Sequence, residues 1–357
     1  MKTLIVQNYW TPYRHELFTE LMKYSDIEIL YLGNVGSDRL WMKEECIFPS
    51  IQLEAKKWGP FLFSSLQGID FSKFDQIVLL EHLENIFTIL KLAGIFKGRF
   101  ILWTGMTKDA HPEKPYYDFF TNIIKFWYRK LLYKANIFFA YSELTREMLL
   151  DQGVPDENIK IIHQASRIIE IPEILNSNPV ELRKERKGPL RLLSLGYLRK
   201  EKNNDFLIKV CSRFSKDVLE LLIVGDGPEK AKLKTIAGSN VKFKGYLAGE
   251  EKFKEYLYAD VFVLPTIRDP WALVVNEAMY YGLPIICSNR AGARDVVKDN
   301  GYVIDPFNED DLYQAIKTLV GNRALCNKMG RSSLKIIKNY SIPFAAKQIS
   351  ELLEENE

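Results

Sequence analysis

Short apolar runs separated by longer stretches of helical period recur along the chain, and this alternation narrows the fold more than any other feature. Strands covered by helices on both faces read as near-continuous apolar runs, which is the pattern of parallel sheets. The first half carries TLIVQN (3–8), IEILYLG (27–33), QIVLLE (76–81), FILWTG (100–105), NIFFAYS (136–142) and IKIIHQA (159–165). Between Ala165 and Gly188, Pro, Asn and mixed charge interrupt any period, which predicts a linker over 169–189. The pattern restarts with LRLLSLG (190–196), LELLIVG (219–225), VKFKG (241–245), DVFVLP (260–265), PIICS (284–288) and GYVID (301–305). Phe206, Leu207, Val210, Cys211 and Phe214 share one face at helical spacing. The expected architecture is α/β, with two doubly wound Rossmann-like domains over 1–168 and 190–340. A cleft between the carboxyl ends of two such sheets is the expected ligand site.

Composition sets the class. A chain of 357 residues exceeds what one core usually organises, and 47% hydrophobic with 27% charged residues describes a soluble globular protein. The balance of 49 basic against 46 acidic residues, +3, gives no reason to expect nucleic-acid binding. Cys46, Cys211, Cys287 and Cys326 lie far apart with no CxxC pair, so they read as buried thiols in a reducing compartment. The stretch MKTLIVQNYW suits a first strand better than a signal-peptide core, and no apolar run approaches the ~20 residues of a membrane span. The expectation is a cytoplasmic protein. With no DxD, no HExxH and no metal-spaced His/Cys cluster, no metal or cofactor is expected.

Three stretches of the second half carry the chemistry. SLGYLRKEKNN (194–204) leaves a strand through Gly196, passes Arg199, Lys200 and Lys202, and enters a helix. A glycine turn, a helix N-terminus and cations suit an anionic ligand, although a solvated basic loop reads the same way. IVGDGPEKAKL (223–233) is a similar turn, with Gly225 and Gly227 around Asp226. In RDPWALVVNEAMYYGLPIICS (268–288), Asp269 stands eight positions before Glu277, flanking an apolar segment that ends at a glycine followed by proline. This predicts a helix with Asp269 just before its start and Glu277 about two turns in. Paired acids there suit hydrogen bonds from hydroxyls.

Taken in order, these motifs with VKFKGYL and ADVFVLPT resemble the carboxyl-terminal domain of the retaining family 4 glycosyltransferases, of GT-B fold, over most of 190–320. WTPYRHELFTEL and AYSELTREMLLDQGVPDENIKII resemble parts of the amino-terminal domain of that family. YSIPFAAKQISELLEEN is similar to its terminal helix, which implies that 341–357 crosses back to the first domain. The resemblance implies that Glu277 binds the ribose of a nucleotide donor, and that Lys202 neutralises its diphosphate. Asp269 stands where the family has a glutamate for donor-sugar hydroxyls, a shorter acid with less reach. Tyr197 stands where an arginine partners the lysine, so Arg199 or a first-domain residue would substitute. Ala272, Leu273 and Val274 occupy the backbone turn against the diphosphate, with Ala272 in place of glycine. Gly196, Gly225 and Tyr246 complete the implied donor site.

In the first domain, NYWTPYRHE replaces a glycine-rich loop, with Trp10, Thr11, Arg14 and His15 as candidate cleft residues. His111 matches the family's first-domain histidine near the donor sugar; an ordinary hydrogen-bonded role suits either histidine equally well. The stretch 115–134, rich in aromatics with Lys125, Arg129, Lys130 and Lys134, is compatible with an anionic membrane surface, or with a packed helix whose cations sit in water. What the resemblance implies is sugar transfer with retention, from a UDP- or GDP-linked donor to a glycan or lipid-linked acceptor. The setting would be cell-surface polysaccharide or glycolipid synthesis, at the inner face of a membrane. A nucleotide-sugar epimerase, an inverting transferase and a non-catalytic nucleotide-sugar or carbohydrate-binding protein are the alternatives.

Overall fold

A computed structural model describes residues 1–33, 50–58, 61–81, 83–107, 126–166, 178–184 and 186–355. The chain forms two units: Met1–Ala165 with Ile342–Glu357, and Ser166–Ser341.

Unit 1 holds a seven-stranded parallel sheet in the order β3-β2-β1-β6-β7-β8-β9. These are β1 (Thr3–Gln7), β2 (Ile27–Tyr31), β3 (Ser50–Gln52), β6 (Gln76–Leu80), β7 (Arg99–Thr104), β8 (Ile137–Ala140) and β9 (Ile159–Ile161). Every residue of β1 and β6 is buried, as their apolar centres Leu4–Val6 and Ile77–Leu80 require. One face packs Leu4, Val6, Ile77, Leu79 and Leu102 against the helix Ile86–Ile95. The other packs Ile5, Val78, Ile101 and Phe139 against the helices Pro12–Leu21 and Ile342–Glu354. The terminal helix is tied to the amino-terminal end of the sheet by polar contacts, with Gln76 Nε2 donating to the Leu353 carbonyl at 3.0 Å and Ser25 Oγ to Ser350 Oγ at 2.8 Å. A hairpin of β4 (Ala55–Trp58) and β5 (Phe61–Ser64) stands outside this sheet.

Unit 2 holds a six-stranded parallel sheet, β12-β11-β10-β13-β14-β15. Its strands are β10 (Leu190–Leu195), β11 (Leu219–Val224), β12 (Val241–Gly245), β13 (Val261–Leu264), β14 (Ile285–Ser288) and β15 (Gly301–Ile304). The helix Asn204–Cys211 buries Leu207, Val210 and Cys211 against the sheet, and Phe214 lies beyond its end, partly buried on the same core. Within the stretch expected to be linker, Pro179–Lys184 is helical and belongs to unit 2, with the Arg183 guanidinium donating to the Gly282 carbonyl. Among the described residues no helix is long and apolar enough to cross a membrane.

Candidate functional site

The chain order around β10 places the chemistry of unit 2. β11 adds to one side of β10 and β13 to the other, and such a reversal opens a crevice at the carboxyl ends of the two central strands. The loops after β10 and β13 meet there. Thr266 Oγ1 and the Ile267 amide both donate to the Glu201 carbonyl, at 2.7 and 2.9 Å. Asn203, in the left-handed conformation at φ 56°, donates from Nδ2 to the Pro265 carbonyl at 3.2 Å and to the Pro306 carbonyl at 2.8 Å. So braced, Lys202 Nζ lies 2.5 Å from Asp269 Oδ2. The two residues, separated in sequence by three helices and three strands, form one partly buried ion pair.

The glycine turns explain how the strand ends approach. Gly225 has φ +144°, and a Cβ there would lie 1.9 Å from the Gly196 carbonyl oxygen. Gly225 N donates to Gly245 O at 2.7 Å, and Gly196 N to Val224 O at 3.0 Å, so β10, β11 and β12 end in one tight backbone cluster. Tyr197 and Tyr246 stand exposed beside it, with the Arg199 guanidinium 4.8 Å from the Tyr197 ring centroid. Tyr197 thus holds the cation that was expected to replace its own missing charge.

Glu277 occupies a different setting from the one expected. The helix runs Leu273–Tyr280, so three residues separate Asp269 from its start and Glu277 is its fifth residue, little more than one turn in. Ala272 caps it at φ 77°, a left-handed position that disfavours any residue with a Cβ. Leu273 and Val274 open the helix half-buried. Glu277 is buried, and both its oxygens are engaged: Oε1 with Lys252 Nζ at 2.9 Å, and Oε2 accepts from Tyr256 OH at 2.7 Å. Lys252 and Tyr256 stand four apart on the helix Gly249–Tyr258, hence on one face of it. Burial and the adjacent Glu277 carboxylate push the Tyr256 phenol well above its ordinary range, so it stays a donor. No spacing in the sequence links this helix to Glu277, and neither residue was expected. If Glu277 binds a nucleotide, as proposed below, Tyr256→Phe should weaken that binding about tenfold or more with the fold intact, since it removes one hydrogen bond to a charged group, of about 1.5–3 kcal/mol. Calorimetric titration beside a thermal melt checks it.

The first-domain candidates divide. Thr11 precedes the helix Pro12–Leu21 and is buried, as is Trp10, whose Nε1 donates to His15 Nδ1 at 3.4 Å. Arg14, expected to face a ligand, is only 1% exposed. Its guanidinium lies 4.4 Å from the Trp103 ring centroid and donates to Tyr141 OH at 2.8 Å, so aromatic faces hold its charge. His111 and residues 115–125 lie outside the described residues.

Sequence reading also passed over Glu81, which directly follows β6. Its Oε2 accepts from Thr104 Oγ1 and, at 3.3 Å, from Tyr128 OH. Burial lifts its carboxyl to about 7, against the lowering effect of those two hydrogen bonds. With an unfolded value near ~4.3, the stability this group contributes is full below that pH and is lost as pH rises towards 7. Glu81→Gln should therefore narrow the fall in melting temperature between pH 5 and 8, recovering on the order of 2–3 kcal/mol at the upper end. Differential scanning calorimetry at the two pH values measures it.

Residues 180–335 match the family model described as glycosyl transferases group 1. The chain is 28% identical over 162 residues to the sulfoquinovosyl transferase of Arabidopsis thaliana, which is 44% of this chain and 31% of that protein. It is 28% identical over 171 residues to a GDP-mannose-dependent alpha-mannosyltransferase of Mycobacterium tuberculosis, 48% of this chain and 44% of the relative. It thus spans under half the length of either curated relative. Among solved structures, the Anabaena HepE protein in complex with UDP superposes with a TM-score of 0.74 at 17% identity, covering 99% of both chains. That likeness shows the fold: parallel-sheet α/β, two Rossmann-like units, as in GT-B glycosyltransferases.

Proposed function

We propose that this chain, whose residues 180–335 match the group 1 glycosyl transferases, is a retaining family 4 glycosyltransferase. It moves a sugar from a UDP- or GDP-linked donor to a glycan or lipid-linked acceptor, in cell-surface polysaccharide or glycolipid synthesis. The observation that carries this reading is the pairing of Lys202 with Asp269 at 2.5 Å at the switch point of unit 2, beside the glycine-built strand ends. UDP is bound by HepE, and GDP-mannose is named for the mycobacterial relative; both donors therefore belong in the test.

The reaction breaks the bond between the anomeric carbon and the diphosphate oxygen and joins that carbon to an acceptor oxygen, whose proton leaves with the diphosphate. Its main electrostatic demand is the charge on the leaving group. Lys202 would exchange Asp269 for the diphosphate, freeing the Asp269 carboxylate for hydroxyls of the donor sugar. The start of the helix at Leu273 adds its dipole to the same charge. Glu277, held by Lys252 and Tyr256, keeps lone pairs for the ribose hydroxyls. In this reading cations and backbone serve where other transferases use a metal ion.

Nucleotide release from UDP-, GDP-, ADP- and dTDP-sugars, with and without lipid and polysaccharide acceptors, tests the activity, and the product anomer tests retention. Release from one donor that depends on acceptor supports the reading; an inverted product overturns the retaining part. Binding without turnover on any acceptor would turn the reading to a non-catalytic binding protein.

Membrane contact at a cytoplasmic face rests on residues 126–132, a helical segment that leaves Phe126 exposed, as is Tyr133 just beyond it. Lys130 Nζ stands 4.9 Å from the ring centroids of both Phe126 and Trp127. Tyr128, Leu131 and Leu132 of the same segment are buried in the core. Co-sedimentation with anionic vesicles at low salt tests it, and absence of binding removes it.

A further inference from the structure

The loop that leads from Asp269 into its helix holds one residue in an unfavoured conformation. Among the described residues, only Asn203 at φ 56° and Ala272 at φ 77° take positive φ without being glycine. Both flank the Lys202–Asp269 pair, Asn203 directly after Lys202 and Ala272 three residues beyond Asp269. Asparagine tolerates the left-handed region, whereas the Cβ of alanine crowds the following carbonyl there. Such a backbone persists only where its surroundings fix it.

The surroundings of Ala272 do so from both sides. Ala293 N donates to the Trp271 carbonyl at 2.8 Å, which holds the peptide before it, and Val275 N donates to the Ala272 carbonyl at 2.9 Å, which holds the peptide after it. A side-chain bond bridges over the same residue, with Trp271 Nε1 donating to Asn276 Oδ1 at 2.9 Å. Trp271 is 3% exposed and Asn276 1%, so this bond is shielded from water. Asn276 is the fourth residue of the helix Leu273–Tyr280, and side chains one turn in lean back over a helix start. Trp271 also reaches Asp269, whose Oδ1 accepts from the Trp271 amide at 3.2 Å while Oδ2 meets Lys202 Nζ at 2.5 Å. One residue thus joins the acid, the left-handed turn and the first turn of the helix.

We propose that Trp271 and Asn276 are positioning residues for the donor turn. Their bond keeps Ala272 left-handed, and so sets the amides at the helix start and the Asp269 carboxylate in one arrangement. That a donor diphosphate meets those amides rests on the transferase reading; the conformational coupling does not. Glycine at 272 would hold the same turn by its own freedom. With alanine there, loss of the bond lets part of the population leave the turn, and apparent affinity falls with the fraction that remains competent.

Trp271→Phe keeps an apolar ring and removes the N–H, and Asn276→Ala removes the acceptor; each is made alone and on an Ala272→Gly background. Calorimetric titration of UDP and GDP should show affinity about fivefold lower in each single variant, the worth of about one hydrogen bond, and within about twofold of Ala272→Gly once that glycine is present. Exchange of the Val275 amide, followed on the full chain without nucleotide, should quicken about fivefold in both single variants and slow again on the glycine background. Asn276→Ala, a small change within a helix, carries the test if Trp271→Phe does not fold. Single variants that bind and exchange like wild type would overturn the proposal. So would losses that glycine does not restore, since these mark Trp271 and Asn276 as packing alone. A wild type that binds neither nucleotide would count against the donor site, and the exchange rates would then decide the coupling by themselves.

Discussion

Glu277→Ala should lower nucleotide-sugar turnover at least about a hundredfold, a loss of roughly 2.7 kcal/mol. Two effects add. The carboxylate proposed to hold the ribose disappears, and the Lys252 ammonium and Tyr256 hydroxyl lose the acceptor that now engages them at 2.9 and 2.7 Å. A hydrogen bond to a charged group contributes about 1.5–3 kcal/mol, so loss of two covers the expected effect. Glu277→Gln separates the causes, because it keeps an oxygen for Tyr256 while removing the charge that Lys252 meets. If function depends on the charge, the glutamine variant melts close to wild type and still turns over poorly. Steady-state nucleotide release beside a melting curve reads both.

The second large effect is structural. Gly225→Ala should destabilise unit 2 by on the order of 4 kcal/mol or more, the range reached only by special backbone sites and core defects. The new Cβ would lie 1.9 Å from the Gly196 carbonyl oxygen, a backbone atom that cannot swing away, and φ of +144° already excludes ordinary side chains. Gly321→Ala is the matched control: nothing lies within 4 Å of its Cβ position, and its φ is −91°. A melting temperature that falls steeply in the first variant and by a degree or so in the second is the expected pair of results.

These effects also mark what a chain of this kind reveals before it is folded. All twelve apolar runs read as strands contain strands, since strands covered on both faces carry apolar side chains through their centres, as at Leu4–Val6 of β1 and Ile77–Leu80 of β6. Ser50–Gln52 escaped notice: an edge strand of three residues, none fully buried, carries no such signature. The hairpin Ala55–Ser64 was equally silent, with Lys56, Lys57 and Trp58 exposed.

At the site, residue type was legible and partnership was not. Lys202, Asp269 and Glu277 stand out by motif, yet their contacts depend on which loops the strand order brings together. The Lys252–Tyr256 grip on Glu277 joins two helices through side chains 21 and 25 positions away. Arg14 shows the same limit: a cation near a strand end reads as ligand-facing, and only the fold brings Trp103 and Tyr141, distant in sequence, against its guanidinium. Glu81 stayed hidden inside the apolar run QIVLLE, where only the register with Thr104 shows its setting.

The most direct measurement is calorimetric titration of UDP and GDP into wild type, Lys202→Ala and Glu277→Ala. One nucleotide should bind the wild type, with affinity reduced at least tenfold in each variant. Binding of neither nucleotide, or binding that survives both substitutions, would contradict a donor site built on Lys202 and Glu277.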